Sequence, residues 1–535
     1  MNKKRLSLGL DMSTQSLSAI VLDIDLRTKL AGYTLDYVKD LRLNIFGIRK
    51  TDYILPPRME GEADQPPLMF LAAIDAMFND LKKSVDLGDV VIIDTSGQQH
   101  GHVYLNTDTP LLFSRLHQDN SAESSLNALL KDSFAYDRAP IWMTSNTNTQ
   151  ADFFQAAVGG KERLIRLSGS DAQLRFTGLV VRRTAEQFPD AYKRTKIIQL
   201  ISSFVPAVLT GNPIIPADFG NACGMSLMNY RRKQWSDYLL QAISQNLPGG
   251  KRGLRKKLPD ITAPDSMVGT VAKYFVRKHG FSPDCLVAAG SGDNPQSKVL
   301  VSGDLISLGS SFVNMVATDG KTLDMSGAAS AMYDGVGRPF MFGCRTNGAL
   351  VWDRVREIYG IEKENYAPAE AALQQTPPGE NLVFWQPRDE SFPRSGRFDL
   401  MRVGDREPSL GKDYAGIIES SLAVVYLHSK GFSPPTSSPL YVMGGATGSP
   451  GIMRRVAAIW NRPIVIVGKA GAALGAAVAG ISAFMKSEGR TIDIEETSAA
   501  FLPRGTIIQP KPEDVTAFHQ PGGYLDRFAG AGTTC

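Results

Sequence analysis

The chain has 535 residues, 43% apolar and 21% charged, a balance that excludes a fibrous, low-complexity or disordered chain. That length exceeds one compact core, so two large domains are expected. The formal charge of +4 is small for this size and Lys and Arg are interspersed with Asp and Glu, which argues against nucleic acid as the main partner.

Cys223, Cys285, Cys344 and Cys535 lack the close spacing of a zinc site or a disulfide framework, so a reducing, cytoplasmic setting without a structural metal is expected. Asp11 interrupts the first apolar stretch before a signal-peptide core forms, so no export is expected. The uncharged stretch between Lys469 and Lys486 is too short and too rich in Gly and Ala to span a membrane. It reads as a small-residue helix packed inside the protein.

In chain order, residues 6–10 predict a strand, Asp11 to Ser16 a polar turn, and residues 17–24 a returning strand: a hairpin with a polar tip. Leu71, Ile74, Phe78 and Leu81 repeat at helical spacing within 68–81. The apolar run 90–93 is a buried strand leading into the polar loop 94–101, the kind of place where α/β proteins hold ligands. The hairpin pattern recurs about 300 residues later, with strand 305–308, tip Gly309-Ser310-Ser311 and strand 312–316, and suggests two related domains. Strand 440–443 then enters the loop 444–449. A helix burying Ile452, Val456 and Trp460, strand 463–467 and helix 471–484 follow.

Tips rich in Ser, Thr and Gly present backbone N–H groups and hydroxyls to an anion, although a plain turn explains either hairpin taken singly. Gly320-Lys321-Thr322 resembles the end of a P-loop, but the first Gly of that motif falls at Met315. Gly290-Ser291-Gly292-Asp293 lacks the rest of a dinucleotide fingerprint.

Taken in order, Asp11 to Ser16, the Ser96 to Gly101 loop, Asp218 to Met225 with Trp235, Gly292-Asp293-Asn294, Ser307 to Ser311, Asn347-Gly348, Gly444-Gly445-Ala446 and Ala472-Ala473-Leu474-Gly475 resemble the successive motifs of the FGGY carbohydrate kinases, from about residue 6 to residue 485. Gly97-Gln98-Gln99-His100-Gly101, Trp142-Met143, Ala157 to Gly160, Leu167 to Ser170 and Arg175 to Gly178 are most similar to the longer xylulokinases of that family. The resemblance implies an α/β protein of two actin-like (ribonuclease H-like) domains with a central cleft. Residues 1–302 would form the N-terminal domain with the sugar site and first phosphate loop, 303–500 the nucleotide-binding domain, and 501–535 a C-terminal extension. It implies ATP-dependent phosphorylation of D-xylulose to D-xylulose 5-phosphate with Mg2+. The alternatives are another ketose or alditol, or a catalytically weakened binding relative. The partners would be the sugar and ATP, with no nucleic acid and no membrane, and a homodimer is left open.

By the same resemblance Asp293 is the catalytic base, a role that suits a carboxylate within reach of a poorly nucleophilic alcohol. Locally, an Asp capping the next helix reads equally well. Gln99, His100, Arg175, Asp293 and Asn294 are the sugar ligands, against structural roles for His100 and Gln99 and a surface salt bridge for Arg175. Asp11 is the magnesium-linked carboxylate. Thr14 and Gln15, with Gly309, Ser310 and Ser311, meet the phosphates, and Gly444, Gly445, Gly448 and Ser449 form the adenosine loop. Tyr366 stands near adenine, with core packing as its alternative. The pattern departs at Thr144, where an Asp is usual two residues after the Trp, at Ser310-Ser311, at Ser449, and in the short 293–309 segment carrying Lys298. These departures bear on substrate identity and nucleotide affinity.

Overall fold

The computed structural model describes residues 4–404, 407–434, 436–468 and 471–531, leaving out the side chain of Arg504. Lys469 and Cys535 lie outside the described residues. The chain folds into two compact units. The first takes the chain up to Leu300, Met332–Pro339 and the segment that ends at Phe501; the second takes Val301–Ala331, the stretch from Phe340, and the chain from Leu502.

In the first unit the central sheet runs Met267–Thr270, Leu286–Ala288, Val90–Gly97, Leu6–Met12, Ser16–Asp23, Thr28–Asp36. Leu6–Met12 pairs antiparallel with Ser16–Asp23 and parallel with Val90–Gly97, and both outermost pairs are antiparallel. The second unit repeats this order with Arg504–Ile508, Ile464–Val467, Leu440–Met443, Leu305–Leu308, Phe312–Ala317 and Pro339–Arg345, in the same alternation of parallel and antiparallel pairs. The recurrence of the hairpin in the sequence is thus a recurrence of a whole sheet topology. Central strands with both faces covered read as continuous apolar runs, which is why Leu6, Leu8, Leu10, Ile92 and Ile93 are all buried.

Two readings change. The strand after Val90 does not stop at Ile93: its parallel register with Leu6–Met12 carries it through Asp94, Thr95 and Ser96 to Gly97, polar residues that the ladder keeps extended. Trp460 is not fully buried like Ile452 and Val456, because it ends its helix and packs edge-on against Tyr426.

The helix Ala472–Ser487 follows the strands Leu440–Met443 and Ile464–Val467 in the chain, inside the 303–500 span of the sequence reading, yet it packs into the first unit. Its small residues permit this. A methyl group on Gly9 would collide with the carbonyl of Ala473, one on Gly475 with the carbonyl of Gln296, and one on Gly480 would sit 3.0 Å from the Ser7 hydroxyl. Ser7 Oγ donates to the Ala477 carbonyl at 2.7 Å inside this interface. Glycine in a helix interior is unfavourable by itself, but here it lets backbone meet backbone. Among the described residues no helix is long and apolar enough to cross a membrane.

Gly475→Ala is expected to lower the thermal melting temperature, since overpacking a rigid contact costs about 1–3 kcal/mol. Turnover should fall with it, because the group struck belongs to Gln296, three residues beyond Asp293. A variant melting and turning over like the parent chain would show that the close packing is dispensable.

Candidate active site

The register of the first sheet gathers the candidate residues at the carboxyl ends of its parallel strands. Asp11 lies opposite Ser96 and Met12 opposite Gly97, while the two-residue strand Ser291–Gly292 pairs with the same Ser96 and Gly97 from the other side. Asp11 and Asp293 therefore flank one strand end, where α/β sheets leave a crevice. Gly292 has no room for a side chain: a Cβ there would lie 2.6 Å from Gln99 Cγ.

Asp293 is the first residue of the helix Asp293–Val299, with Gly292 in the cap position. It makes no capping contact one turn on. Its Oδ1 accepts from the N–H of Asn294 at 2.8 Å, from Asn294 Nδ2 at 3.1 Å and from the N–H of Gln99 at 3.3 Å. No described residue donates to Oδ2, so one oxygen is anchored and the other is left to act. Burial pushes this carboxyl up to about 6, with the Asn294 and Gln99 amides pulling the other way. Asn294 also donates to Gln99 Oε1 at 2.8 Å, which ties the two loops together.

His100 adopts the left-handed region at φ 67°, turning its ring under the loop. Nδ1 lies 3.0 Å from the Gly224 carbonyl and the ring stacks on Phe176 at 4.6 Å. Burial, then the Arg175 charge, pushes its pKa down to about 3. The imidazole is neutral, its proton sits on Nδ1 facing the carbonyl, and Nε2 is left as an acceptor for a hydroxyl. Arg175 is half-buried beside it and makes no ion pair with a described carboxylate, so it is not the surface salt bridge that the sequence also allowed.

Asp11 Oδ1 is buried without a hydrogen-bond partner, and burial followed by the Asp293 charge raises its pKa to about 7. A carboxylate oxygen left bare in this way suits a hard cation that takes one protein ligand and fills its shell with water and phosphate. Among the described residues there is no cluster of three or more His, Cys, Asp or Glu that would hold a metal by itself. Thr14 is half-buried and Gln15 exposed at the hairpin tip. Thr144 is buried, its hydroxyl donating to the Ala63 carbonyl at 3.2 Å, and Lys298 is buried too.

The second unit assembles its own set. Gly309 is half-buried and Ser310 and Ser311 are exposed at the tip, whose carbonyls receive the first N–H groups of the helix Ala349–Ile358. Gly444, at φ 107°, would place a Cβ 2.5 Å from the Leu308 carbonyl, so the loop 444–449 lies directly against that hairpin. Gly445 and Gly448 have open space where side chains would be. Ser449 accepts from the Ile452 N–H at 3.1 Å and donates to Glu370, which also receives the Gly451 N–H at 2.9 Å. Glu370 thus holds the loop and was not singled out from sequence, where it is one surface-type residue among many. Tyr366 is 55% exposed with the Arg356 guanidinium 4.1 Å from its ring centre, which rules out core packing as the reason for the aromatic.

Comparison with known proteins agrees with this architecture. Residues 131–299 match the family model "FGGY family of carbohydrate kinases, N-terminal domain". The chain is 30% identical over 529 residues to D-xylulose kinase A of Aspergillus niger, covering 91% of each protein. Xylulose kinase from Rhodospirillum rubrum superposes with a TM-score of 0.80 at 16% identity, over 98% of both chains. Gluconate kinase from Lactobacillus acidophilus also gives 0.80 at 16% identity, over 99% of this chain and 97% of that one. The structural likenesses show the fold, the two-domain actin-like α/β architecture expected from the sequence. With a relative at 30% identity along nine-tenths of both proteins, and the family's N-terminal domain matched within the first unit, the chain belongs to the FGGY family of carbohydrate kinases.

Proposed function

We propose that the protein transfers the γ-phosphate of ATP to the terminal hydroxyl of D-xylulose, giving D-xylulose 5-phosphate, with Asp293 as the general base. The observation that carries this is the asymmetry of the Asp293 carboxylate: Oδ1 is fixed by Asn294 and Gln99 while Oδ2 is free. A fixed carboxylate with one open oxygen and a pKa near 6 is ionised at neutral pH, yet basic enough to draw off a hydroxyl proton as phosphorus is attacked. Around it, Asn294 and Gln99 offer amide groups, His100 Nε2 an acceptor and Arg175 a fork of donors that meets no carboxylate among the described residues, a set that matches the hydroxyls and carbonyl oxygen of a ketose. The similarity to D-xylulose kinase A supports the same substrate.

In this reading the first unit binds the sugar and presents the tip Thr14-Gln15 to the transferred phosphate. The second binds the nucleotide through Gly309, Ser310, Ser311, Gly444, Gly445, Gly448, Ser449 and Tyr366. Asp11 would hold Mg2+, which when bound neutralises phosphate charge. Neither tip carries a lysine that would otherwise do so. Partition of the chain at residue 302, with a C-terminal extension from 501, belongs to the same proposal, with the helix Ala472–Ser487 serving the sugar side. Thr144 favours keeping other ketoses and alditols in view, because its hydroxyl is turned to the Ala63 carbonyl and supplies no carboxylate to the pocket.

A coupled ADP-release assay with ATP and Mg2+ against ketoses, aldoses, alditols and sugar acids is expected to show the highest kcat/KM with D-xylulose. Faster turnover of another acceptor would move the substrate assignment to it. Asp293→Asn should fold and bind sugar but lose about 10²- to 10⁴-fold in kcat, the usual cost of removing a general base. Retention of turnover within threefold would remove Asp293 from that role. Because the base acts only when deprotonated, kcat/KM should rise with pH through an apparent pKa near 6 and level off above it. A profile flat between pH 5 and pH 7 would contradict this assignment.

A further inference from the structure

The hairpin tip expected to meet phosphate is gripped from behind. Gln65 and Gln98 are both fully buried. Gln65 Nε2 donates to the Thr14 carbonyl and to the Tyr53 carbonyl, each at 2.7 Å. Two carbonyl acceptors fix which end of that amide is nitrogen, so Gln65 Oε1 faces away and accepts from Gln98 Nε2 at 2.7 Å. Gln98 Oε1 is then the acceptor turned toward Thr14, whose hydroxyl donates to it at 3.1 Å. The bonds close a ring that starts at the Thr14 side chain and returns to the Thr14 carbonyl. Trp142 Nε1 donates to the same hydroxyl oxygen at 2.8 Å. It reaches it because the strand Asp64–Gln65 pairs with Ala139–Pro140, two residues short of the indole.

The single proton of the Thr14 hydroxyl is therefore committed to a buried acceptor. Rotating it toward a phosphate would strand Gln98 Oε1, and a buried acceptor left unpaired costs about 1–3 kcal/mol. By contrast, the backbone N–H groups of Thr14 and Gln15 donate to no described residue, while the neighbouring Ser13 N–H closes the turn onto Ser16 and the Gln15 carbonyl is taken by Tyr37. Two successive free amides at a tight tip form an anion nest.

We infer that Gln98 and Gln65 are positioning residues, a buried two-amide clamp that withholds the Thr14 hydroxyl and aims the Thr14 and Gln15 amides at the transferred phosphate. This rests on the kinase reading above. Gln98 adjoins the candidate sugar ligands Gln99 and His100, so the clamp also fixes the phosphate tip relative to the sugar loop, which positioning for in-line transfer requires.

The test is Gln98→Leu in the full-length chain, assayed with D-xylulose, ATP and Mg2+. Misplacing a phosphate donor should lower kcat about 10- to 100-fold, with KM for the sugar within threefold and the melting temperature close to the parent's. If the Thr14 hydroxyl were instead the phosphate donor, freeing it from Gln98 would preserve or raise kcat, and that result overturns the clamp. Should Gln98→Leu not fold, Gln65→Leu breaks the ring at its other amide and is expected to give the same split between kcat and KM. A Gln65→Leu chain that folds and turns over within threefold of the parent overturns the inference equally. Turnover of the unaltered chain reports separately on the kinase reading, and its absence with every acceptor removes both.

Discussion

The first unit depends on the close approach of one small-residue helix to the sheet. Ala472–Ser487 lies with its backbone against that of Leu6–Met12 on one side and of Asp293–Val299 on another, at Gly9 and Gly475, where no methyl group fits. A helix so placed meets the strand that carries Asp11 one residue before its end at Met12 and the short helix that begins with Asp293, and ties the two elements together. Interiors this dense transmit strain rather than absorb it, so two elements far apart in the chain are held together by a third segment.

The electrostatic consequence follows from that packing. Asp11 and Asp293 flank one strand end, where burial raises both and the charge of Asp293 adds to the rise at Asp11. Two such groups repel a phosphate unless a cation accompanies it. On the proposed reading, the unpaired Asp11 oxygen would take the cation, the open Asp293 oxygen the proton, and the tip N–H groups the anion. On that reading the neutral imidazole of His100 follows the same logic, since an acceptor that cannot charge near pH 7 would bind a hydroxyl without competing for the base's proton.

In the second unit the same sheet topology carries a different loop. The loop 444–449 is exposed glycine backbone braced by Glu370 through Ser449 and Gly451. Ser449, one of the departures from the family pattern, caps its own helix and receives a second anchor from Glu370, so the loop is supported.

The sequence by itself determined the repeated hairpins, the helix 68–81 and the apolar strands, because periodicity and turn chemistry are local, and the order of its motifs named the family and its candidate residues. It misjudged the strand through Asp94 to Gly97, since polar residues read as loop when the partner strand that keeps them extended is invisible. Only the tertiary structure decided that helix 472–487 packs into the first unit, that Asp293 is not a helix cap, and that Arg175 has no carboxylate partner among the described residues. It alone showed that Gln65 and Gln98 hold the first hairpin tip and that Glu370 holds the loop 444–449. The physical reason is common to all of these. A buried amide or carboxylate acquires its role from groups distant in the chain, and residues such as Gln65 and Glu370 carry no local pattern by which that role can be read.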